Sequence, residues 1–465
     1  MRKKLPFLTF LCLAFFSSLI VSAQEEPYTL QVFNQAVYYG MYEATVDEPV
    51  PTDAIRNSNS SYGKMLTEEQ LASFGNRLTM RVTLNPLCDN YDRIGNVNLA
   101  FVPKGQTTYV YNEVQRIELG RFITPFMDKN NTSVQEVPYE WQIDNVTQIF
   151  HDENITSEFD LWVELEVYGY QGGPGQGGAA VEIPGCANRN DVYQGSLEFI
   201  STEDPLITNG DDNTFIPLSF KYELKNYTLD GTDVLGETVR TINFTLEEDV
   251  PNAKFYLITS NHGSNSGGEE YIRRQHYVYL DDEQVFTYKP GGLSCVPFFN
   301  YNTQPSCIYY DCSQNPSPPR PDTNAAWSWN NWCPGDKIPI RVIELGTLEA
   351  GEHSFKIDVP AAQFAGGQGY FPMSVYLQGF SQTLGVEDFN TTAFTLFPNP
   401  VVDIAEIQTV DGSSIRNVTV VNTLGQIVYS GTSEKVNLSQ LQSGVYIVNV
   451  RFDDNRTATQ KLIKN

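Results

Sequence analysis

The sequence predicts an all-β protein made of antiparallel sandwiches, and three observations support this fold class. Segments such as Tyr277–Leu280 and Val445–Val450 are rich in β-branched and aromatic residues, as strands usually are. Glycine and proline are frequent and separate these segments at turns. Amphipathic helix patterns are nearly absent, and the best candidate, at residues 66–76, predicts only one or two helical turns.

The chain is too long for a single hydrophobic core, so several domains are expected. We expect two adjacent jelly-roll-like β-sandwich domains, at residues 24–205 and 206–383, because turn-forming residues cluster near position 205. The composition changes again near residue 385, which predicts a small C-terminal β-sandwich at residues 386–465.

Residues 1–23 have the three parts of a secretory signal peptide. Basic residues follow Met1, an apolar stretch runs to Val21, and Ser22-Ala23 ends a small-residue cleavage site. The apolar stretch is too short to span a bilayer. These features predict an exported protein without a membrane span.

The charge and the cysteine content narrow the function classes. The net charge of −26 argues against nucleic acid and anionic membranes as partners, since both attract basic surfaces. Six cysteines follow the signal segment, and an even number in an exported chain predicts disulfides. The four histidines have no zinc-like spacing, so no metal or other cofactor is expected. We expect a monomer.

Three segments carry acids in distinctive surroundings: Cys88–Val97, Leu161–Tyr168 and Gly267–His276. Each also has an ordinary structural interpretation. Asp92 and Arg93 are compatible with a surface salt bridge, and Glu166 shares a strand face with Trp162 that is compatible with a solvated surface. The pair Glu269-Glu270 is compatible with a soluble loop, and the histidines His262 and His276 with structural hydrogen bonding.

Together with Gly120–Pro125 and Trp332–Gly335, these segments resemble the peptide:N-glycosidase F family, in order, over roughly residues 80–360. The resemblance implies an amidase that cuts N-linked glycans from asparagine. It also implies three catalytic acids and five substrate-binding residues. The acids are Asp92, Glu270 and Glu166, and the substrate-binding residues are Arg93, Tyr91, Tyr168, Tyr271 and Trp332.

Amide hydrolysis explains why several carboxyl groups are needed. The reaction requires an activated water, a stabilised oxyanion and a proton for the leaving glycosylamine. Neighbouring acids shift each other's pKa values apart, so that one can be ionised while another is protonated. The alternative from a different class is a non-catalytic glycan-binding or adhesive β-sandwich protein.

The chain also departs from the family pattern. Gly268 and Ile272 replace the two cysteines that bracket the third acid, and Trp329 replaces a substrate-binding arginine. Arg320 is a nearby candidate substitute. The resemblance implies a disulfide between Cys295 and Cys333.

Two further disulfides are expected. A Cys307–Cys312 disulfide would cross-link the proline-rich loop. Cys88 and Cys186 then remain as the last pair.

The C-terminal segment resembles the type A sorting domain of the type IX secretion system. The matching phrases are Phe397–Pro400, Val420–Gln426 and Leu441–Tyr446, in that order. This resemblance implies type IX secretion machinery as a partner and a secreted or outer-membrane surface location. It carries no information about catalysis.

Overall fold

A computed structural model describes residues 26–264, 268–304, 313–314, 331–384, 394–409, 414–422, 426–452 and 457–465. The expected signal segment 1–23, the Cys307–Cys312 pair, Arg320 and Trp329 lie outside the described residues. Within them, the all-β class is confirmed: antiparallel sheets dominate and the helices are short.

The first sandwich consists of a four-stranded and a six-stranded sheet. The four-stranded sheet has the order β1-β9-β4-β7, and the six-stranded sheet has the order β16-β6-β5-β8-β3-β2. The strands are β1 Tyr28–Tyr39, β2 Ala54–Ser58, β3 Ser61–Met65, β4 Arg77–Pro86, β5 Ile94–Pro103, β6 Gln115–Ile123, β7 Val137–Gln142, β8 Phe159–Val167, β9 Asp191–Thr202 and, from later in the chain, β16 Lys337–Ile338.

The second sandwich consists of two four-stranded sheets, ordered β11-β19-β13-β17 and β12-β18-β14-β15, and a two-stranded sheet joins β10 to β20. The strands are β10 Ile207–Asn209, β11 Thr214–Leu224, β12 Val239–Leu246, β13 Val250–Thr259, β14 His276–Leu280, β15 Glu283–Tyr288, β17 Arg341–Leu348, β18 Gly351–Asp358, β19 Phe371–Gly379 and β20 Gln382–Leu384.

The C-terminal strands form sheets ordered β21-β22-β25 and β24-β23-β26-β27. They are β21 Phe394–Phe397, β22 Ile404–Thr409, β23 Ile415–Asn422, β24 Ile427–Gly431, β25 Lys435–Asn437, β26 Gly444–Phe452 and β27 Thr457–Lys464. They enclose their own core, which includes Val418, Val448 and Leu462. The described chain forms two compact units, one with both large sandwiches and one with residues 205–208 and the chain from 384 onward.

The helices are all short: α1 Glu68–Ala72, α2 Val146–His151, α3 Glu153–Glu158, α4 Ala179–Glu182, and 3-10 turns at Tyr111–Glu113, Glu269–Tyr271, Val296–Tyr301 and Ala365–Gly367. The helical turn predicted within residues 66–76 is confirmed as α1. Thr67 caps it, because the Thr67 side chain accepts from the Gln70 N–H and the Gln70 side chain accepts from the Thr67 N–H.

Side-chain alternation accounts for the main core. In β4 every second residue points inward, from Leu78 to Leu84, as expected for a strand with one buried face. By contrast, β8 is buried on both faces from Leu161 to Val167. One face packs in the core, and the other carries Glu164 and Glu166 into a polar interior.

Buried polar contacts join the two large sandwiches. Arg121 on β6 donates to the Glu118 carboxylate at 2.6 Å, to Ser260 Oγ at 2.9 Å and to the Pro372 carbonyl at 2.7 Å. Strand β16 pairs with β6, so a segment from the second half of the chain completes a sheet of the first sandwich. This arrangement places loops of both sandwiches beside the same end of β6.

Candidate active site

Loops of both large sandwiches surround a cavity of about 560 Å³, called here the acid cavity. Among the residues that the structure describes, six of the lining residues come from the first sandwich and five from the second half of the chain. They are Tyr91, Asp92, Arg93, Ile94, Ile123 and Phe126, and His262, Ser264, Glu270, Tyr271 and Trp332. Six of the eight residues that the sequence singled out are therefore brought together, while Glu166 and Tyr168 are not among them.

The loop that carries Asp92 is fastened at its start. The expected disulfide between Cys88 and Cys186 is confirmed, and it ties this loop to the segment after α4. Asp89 is fully buried and accepts the Tyr91 N–H at 2.9 Å and the Tyr170 N–H at 2.7 Å. These bonds fold the loop back so that Asp92 faces the cavity.

Arg93 forms its ion pair with Asp89, at 2.8 Å, and not with Asp92. Its guanidinium also donates to the Tyr170 carbonyl at 3.2 Å and lies 5.4 Å from the centre of the Tyr91 ring. The interpretation of Asp92 and Arg93 as a surface salt bridge is therefore wrong. Asp92 remains without this counter-ion, while the positive charge of Arg93 stays in the cavity wall.

Glu269 and Glu270, in the part of the chain that supplies the second half of the cavity lining, have different partners. Glu269 is fully buried, where Arg274 binds its carboxylate at 2.7 Å and the Gln363 N–H donates to it at 2.9 Å. Glu270 turns toward the cavity and accepts the Gly263 N–H at 3.2 Å. Glu269 therefore stabilises the turn, and Glu270 supplies the carboxyl that faces the cavity.

Asp92 and Glu270 form an acid pair with raised pKa values. Burial, and then the negative charge of Glu270, raises the pKa of Asp92 to about 8, although Arg93 opposes the shift. Burial also raises the pKa of Glu270, against the opposing hydrogen bonds from Gly263 and Tyr271. The two carboxyls therefore titrate as a coupled pair that keeps a proton near neutral pH.

Aromatic side chains line the cavity beside the acid pair. Tyr91 and Tyr271 each expose more than a third of their surface. Trp332 is largely buried, and its indole N–H donates to the Asn261 carbonyl at 3.0 Å. The disulfide between Cys295 and Cys333, implied by the family resemblance, is confirmed and anchors the segment that carries Trp332.

Glu166 lies outside the acid cavity, in the polar interior beside β8. Its carboxylate forms an ion pair with Lys221 of the second sandwich and accepts the Tyr111 hydroxyl. Burial works to raise its pKa, but Lys221 and these hydrogen bonds lower it overall. Only 2 % of the Glu166 surface is exposed, so the interpretation of this strand face as solvated is wrong.

Tyr168 lies at the edge of the same polar interior. Its hydroxyl is 3.4 Å from the Lys221 ammonium, and its backbone N–H donates to the carbonyl of Ile94, a cavity residue, at 3.1 Å. The strand with Glu166 is therefore a neighbour of the cavity wall and not part of its surface.

His262 is a cavity residue that sequence reasoning assigned to structural hydrogen bonding. Its Nε2 lies 2.7 Å from Ser260 Oγ, so the structural contact exists, but the residue also lines the cavity. The available signal was the position of Ser260-Asn261-His262 directly after a buried strand and shortly before Glu270 in the sequence.

Among the residues that the structure describes, no cluster of histidines, cysteines or acids is arranged to hold a metal ion. Within the same residues, no helix has the length and apolar character needed to cross a bilayer.

The fold and the cavity define a class: a double β-sandwich protein with an acid pair contributed by both sandwiches. Comparison with known families places the chain more narrowly. A model described as peptide-N-glycosidase F, N terminal, matches residues 29–170, and its C-terminal counterpart matches residues 232–378. Together they cover more than half of the chain, which belongs to the peptide-N-glycosidase F family. A secretion system C-terminal sorting domain matches residues 395–465.

The fold is shared with PNGF-II, and a second solved structure is reported for comparison. Two crystal forms of PNGF-II superpose with TM-scores of 0.55 and 0.53 at 18% identity, over 76% of this chain and 66% and 65% of those chains. PNGase F, a glycosylasparaginase from Flavobacterium meningosepticum, gives a TM-score of 0.44 at 15% identity, over 77% of this chain and 96% of that one.

A curated relative of a different kind also matches. Ulvan lyase NLR42 of Nonlabens ulvanivorans is 24% identical over 271 residues, which are 55% of this chain. The match spans only 42% of that lyase.

Proposed function

We propose that this protein is a secreted amidase that hydrolyses the bond between N-acetylglucosamine and the asparagine side chain of N-glycoproteins. The observation that carries this proposal is the coupled acid pair of Asp92 and Glu270 in a cavity built by both sandwiches. Family membership supports the same reaction. The products would be an aspartate in the peptide and a free 1-amino sugar.

Asp92 acts as the activating carboxylate in this proposal. Its ionised form takes a proton from water as the water oxygen bonds to the amide carbonyl carbon. The carbon–nitrogen bond then breaks, and the same proton passes to the leaving glycosylamine nitrogen. Glu270 makes Asp92 a stronger base, because its negative charge raises the Asp92 pKa.

The aromatic and cationic residues of the cavity bind the substrate in this proposal. Tyr91, Tyr271 and Trp332 offer ring surfaces to the apolar faces of the core sugars, and Arg93 offers hydrogen-bond donors to substrate oxygens. Tyr168 and Glu166 support the site from behind the wall. Glu166 does so through its ion pair with Lys221, which links the two sandwiches.

Export forms the second part of the proposal. A signal peptide at residues 1–23 would direct the chain out of the cytoplasm, and the sorting domain would engage the type IX secretion machinery. We retain residues 24–205, 206–383 and 386–465 as the proposed domains. The mature protein would act as a secreted or surface-attached monomer on glycoproteins or glycopeptides, without a cofactor.

The test is glycan release from a denatured N-glycoprotein, measured for the wild type and for Asp92→Asn. We expect the variant to lose more than about 10²-fold in rate, since the amide cannot accept a proton. Its unfolding temperature should equal or exceed that of the wild type. A variant with near wild-type release would instead favour the alternative of a glycan-binding or adhesive protein.

A further inference from the structure

A chain of hydrogen bonds connects His262 in the wall of the acid cavity to the interface between the sandwiches. His262 Nε2 lies 2.7 Å from Ser260 Oγ, which lies 2.9 Å from Arg121 Nη1. The buried Arg121 is fixed in turn by two bonds to the Glu118 carboxylate, at 2.7 and 2.6 Å. None of these groups has a role in the proposed reaction so far.

The chemistry of these groups sets the direction of each hydrogen bond. A guanidinium only donates, so Ser260 Oγ accepts from Arg121. Within the described part of the chain, His262 Nε2 is the one remaining partner of this buried hydroxyl, which therefore donates to it. A neutral imidazole that accepts at Nε2 carries its proton on Nδ1.

The surroundings keep the imidazole neutral. Burial, and then the positive charge of Arg121, lowers the pKa of His262 to about 3. The described residues give Nδ1 no hydrogen-bond partner, and Nδ1 is not one of their buried unpaired polar atoms, so this nitrogen is accessible. His262 lines the acid cavity together with Trp332. The Nδ1–H group is therefore a donor that is available to a bound substrate.

We propose that His262 is a catalytic residue whose Nδ1–H donates a hydrogen bond to the carbonyl oxygen of the scissile amide. Ser260 and Arg121 are positioning residues that select the required tautomer. This inference rests on the proposed amidase function. The carbonyl oxygen gains negative charge when water adds to the carbon, so the donor stabilises the transition state more than the bound substrate. His262 transfers no proton in this step.

The backbone also holds the imidazole in place. The His262 N–H donates to the Tyr370 carbonyl and the Tyr370 N–H donates to the His262 carbonyl, both at 3.1 Å. The ring lies 5.8 Å from the Trp332 ring. A donor fixed before the substrate binds needs little rearrangement during the reaction, which is what oxyanion stabilisation requires.

A matched pair of variants tests the donor. His262→Leu should lower kcat by about 10²–10³-fold with little change in KM. His262→Asn places an amide near the Nδ1 position and should recover part of that loss. A His262→Leu enzyme that keeps its kcat, or changes only in KM, would overturn the assignment.

The positioning role needs a readout that a structural defect would not produce. In the full chain, the imidazole nitrogen chemical shifts, assigned by comparison with His262→Asn, should show a protonated Nδ1 and an unprotonated Nε2. Ser260→Ala should give a mixture of tautomers and a lower kcat, and Ser260→Thr should restore both. A wild-type spectrum with a protonated Nε2 would contradict the proposed chain of hydrogen bonds from Arg121 through Ser260 to His262.

The two proposals can fail separately. If the full chain releases no glycan, the amidase function and the catalytic role of His262 both fall. The tautomer measurement would still decide whether Arg121 and Ser260 orient the ring.

Discussion

In the proposed reaction the chemistry depends on the carboxyl group of Asp92, whose pKa of about 8 gives it two properties. It is basic enough to take a proton from water, and it is protonated over part of the neutral range. The shift comes first from burial and second from the charge of Glu270. A rate that depends on ionised Asp92 should therefore rise as the pH approaches and passes about 8.

Glu270→Gln should move this rise to lower pH. The substitution removes the negative charge that raises the Asp92 pKa, so ionised Asp92 becomes abundant at lower pH. The maximal rate should fall by less than about 10²-fold, because Asp92 still accepts the proton. The measurement is the pH dependence of kcat/KM for both enzymes.

Glu247→Gln is the matched control, since it removes the same charge from an exposed turn after β12. It should leave the profile unchanged. If both Glu270→Gln and Glu247→Gln keep the wild-type midpoint in the pH dependence of kcat/KM, the charge of Glu270 does not affect the Asp92 pKa.

Asp92→Asn should raise stability in a pH-dependent way. An aspartate titrates near 3.9 in the unfolded chain but near 8 in the folded protein, so between these values the folded state holds a proton that the unfolded state releases. The wild type therefore loses stability as the pH rises from about 4 to about 8, and the neutral amide does not. Unfolding temperatures across this range should diverge in favour of the variant, and parallel curves would contradict the raised pKa.

Sequence reasoning located most of the cavity residues but not their electrostatic partners. The Glu269-Glu270 pair shows why. Both are acids in one turn, and only contacts with Arg274 and Gln363 show which one is buried. Likewise, the sequence places both Asp89 and Asp92 close to Arg93, and only the structure shows that Asp89 is the partner in the ion pair.

At the scale of secondary-structure elements, β8 shows that a strand pattern predicts which side chains share a face but not what that face contacts. Alternation correctly placed Glu164 and Glu166 on one face, but it cannot show what covers that face. The cover comes from Tyr109 and Tyr111 in a neighbouring loop and from Lys221 of the second sandwich. By contrast, the strand composition and the near absence of amphipathic helix patterns were sufficient to predict the all-β class, and the pattern at residues 66–76 predicted its short helix α1.

The contact between β8 and β11 should behave as a buried ion pair. Lys221→Met leaves Glu166 buried without its counter-ion and should cost about 3–5 kcal/mol of unfolding free energy. Adding Glu166→Gln should recover much of that loss, because no charge then remains unpaired. Denaturant unfolding of the two single variants and the double variant measures the coupling, and purely additive losses would show that the pair does not link the sandwiches.

At the scale of the whole molecule, the two large sandwiches form one compact unit and the C-terminal strands have their own core. The lining residues of the acid cavity that the structure describes all lie before residue 385. A chain that ends after Gly385 should therefore keep the kcat/KM of the full chain on a glycopeptide. A large loss of activity with an unchanged unfolding temperature would mean that the sorting domain takes part in the site.

The most direct test of the amidase proposal is product analysis on a defined N-glycopeptide in water enriched in heavy oxygen. We predict that the peptide product contains aspartate in place of the glycosylated asparagine, with one heavy oxygen in its side chain, and that the whole glycan is released as a 1-amino sugar. A peptide that retains one sugar, an unsaturated sugar product of the kind a lyase makes, or an unchanged glycopeptide would contradict the account.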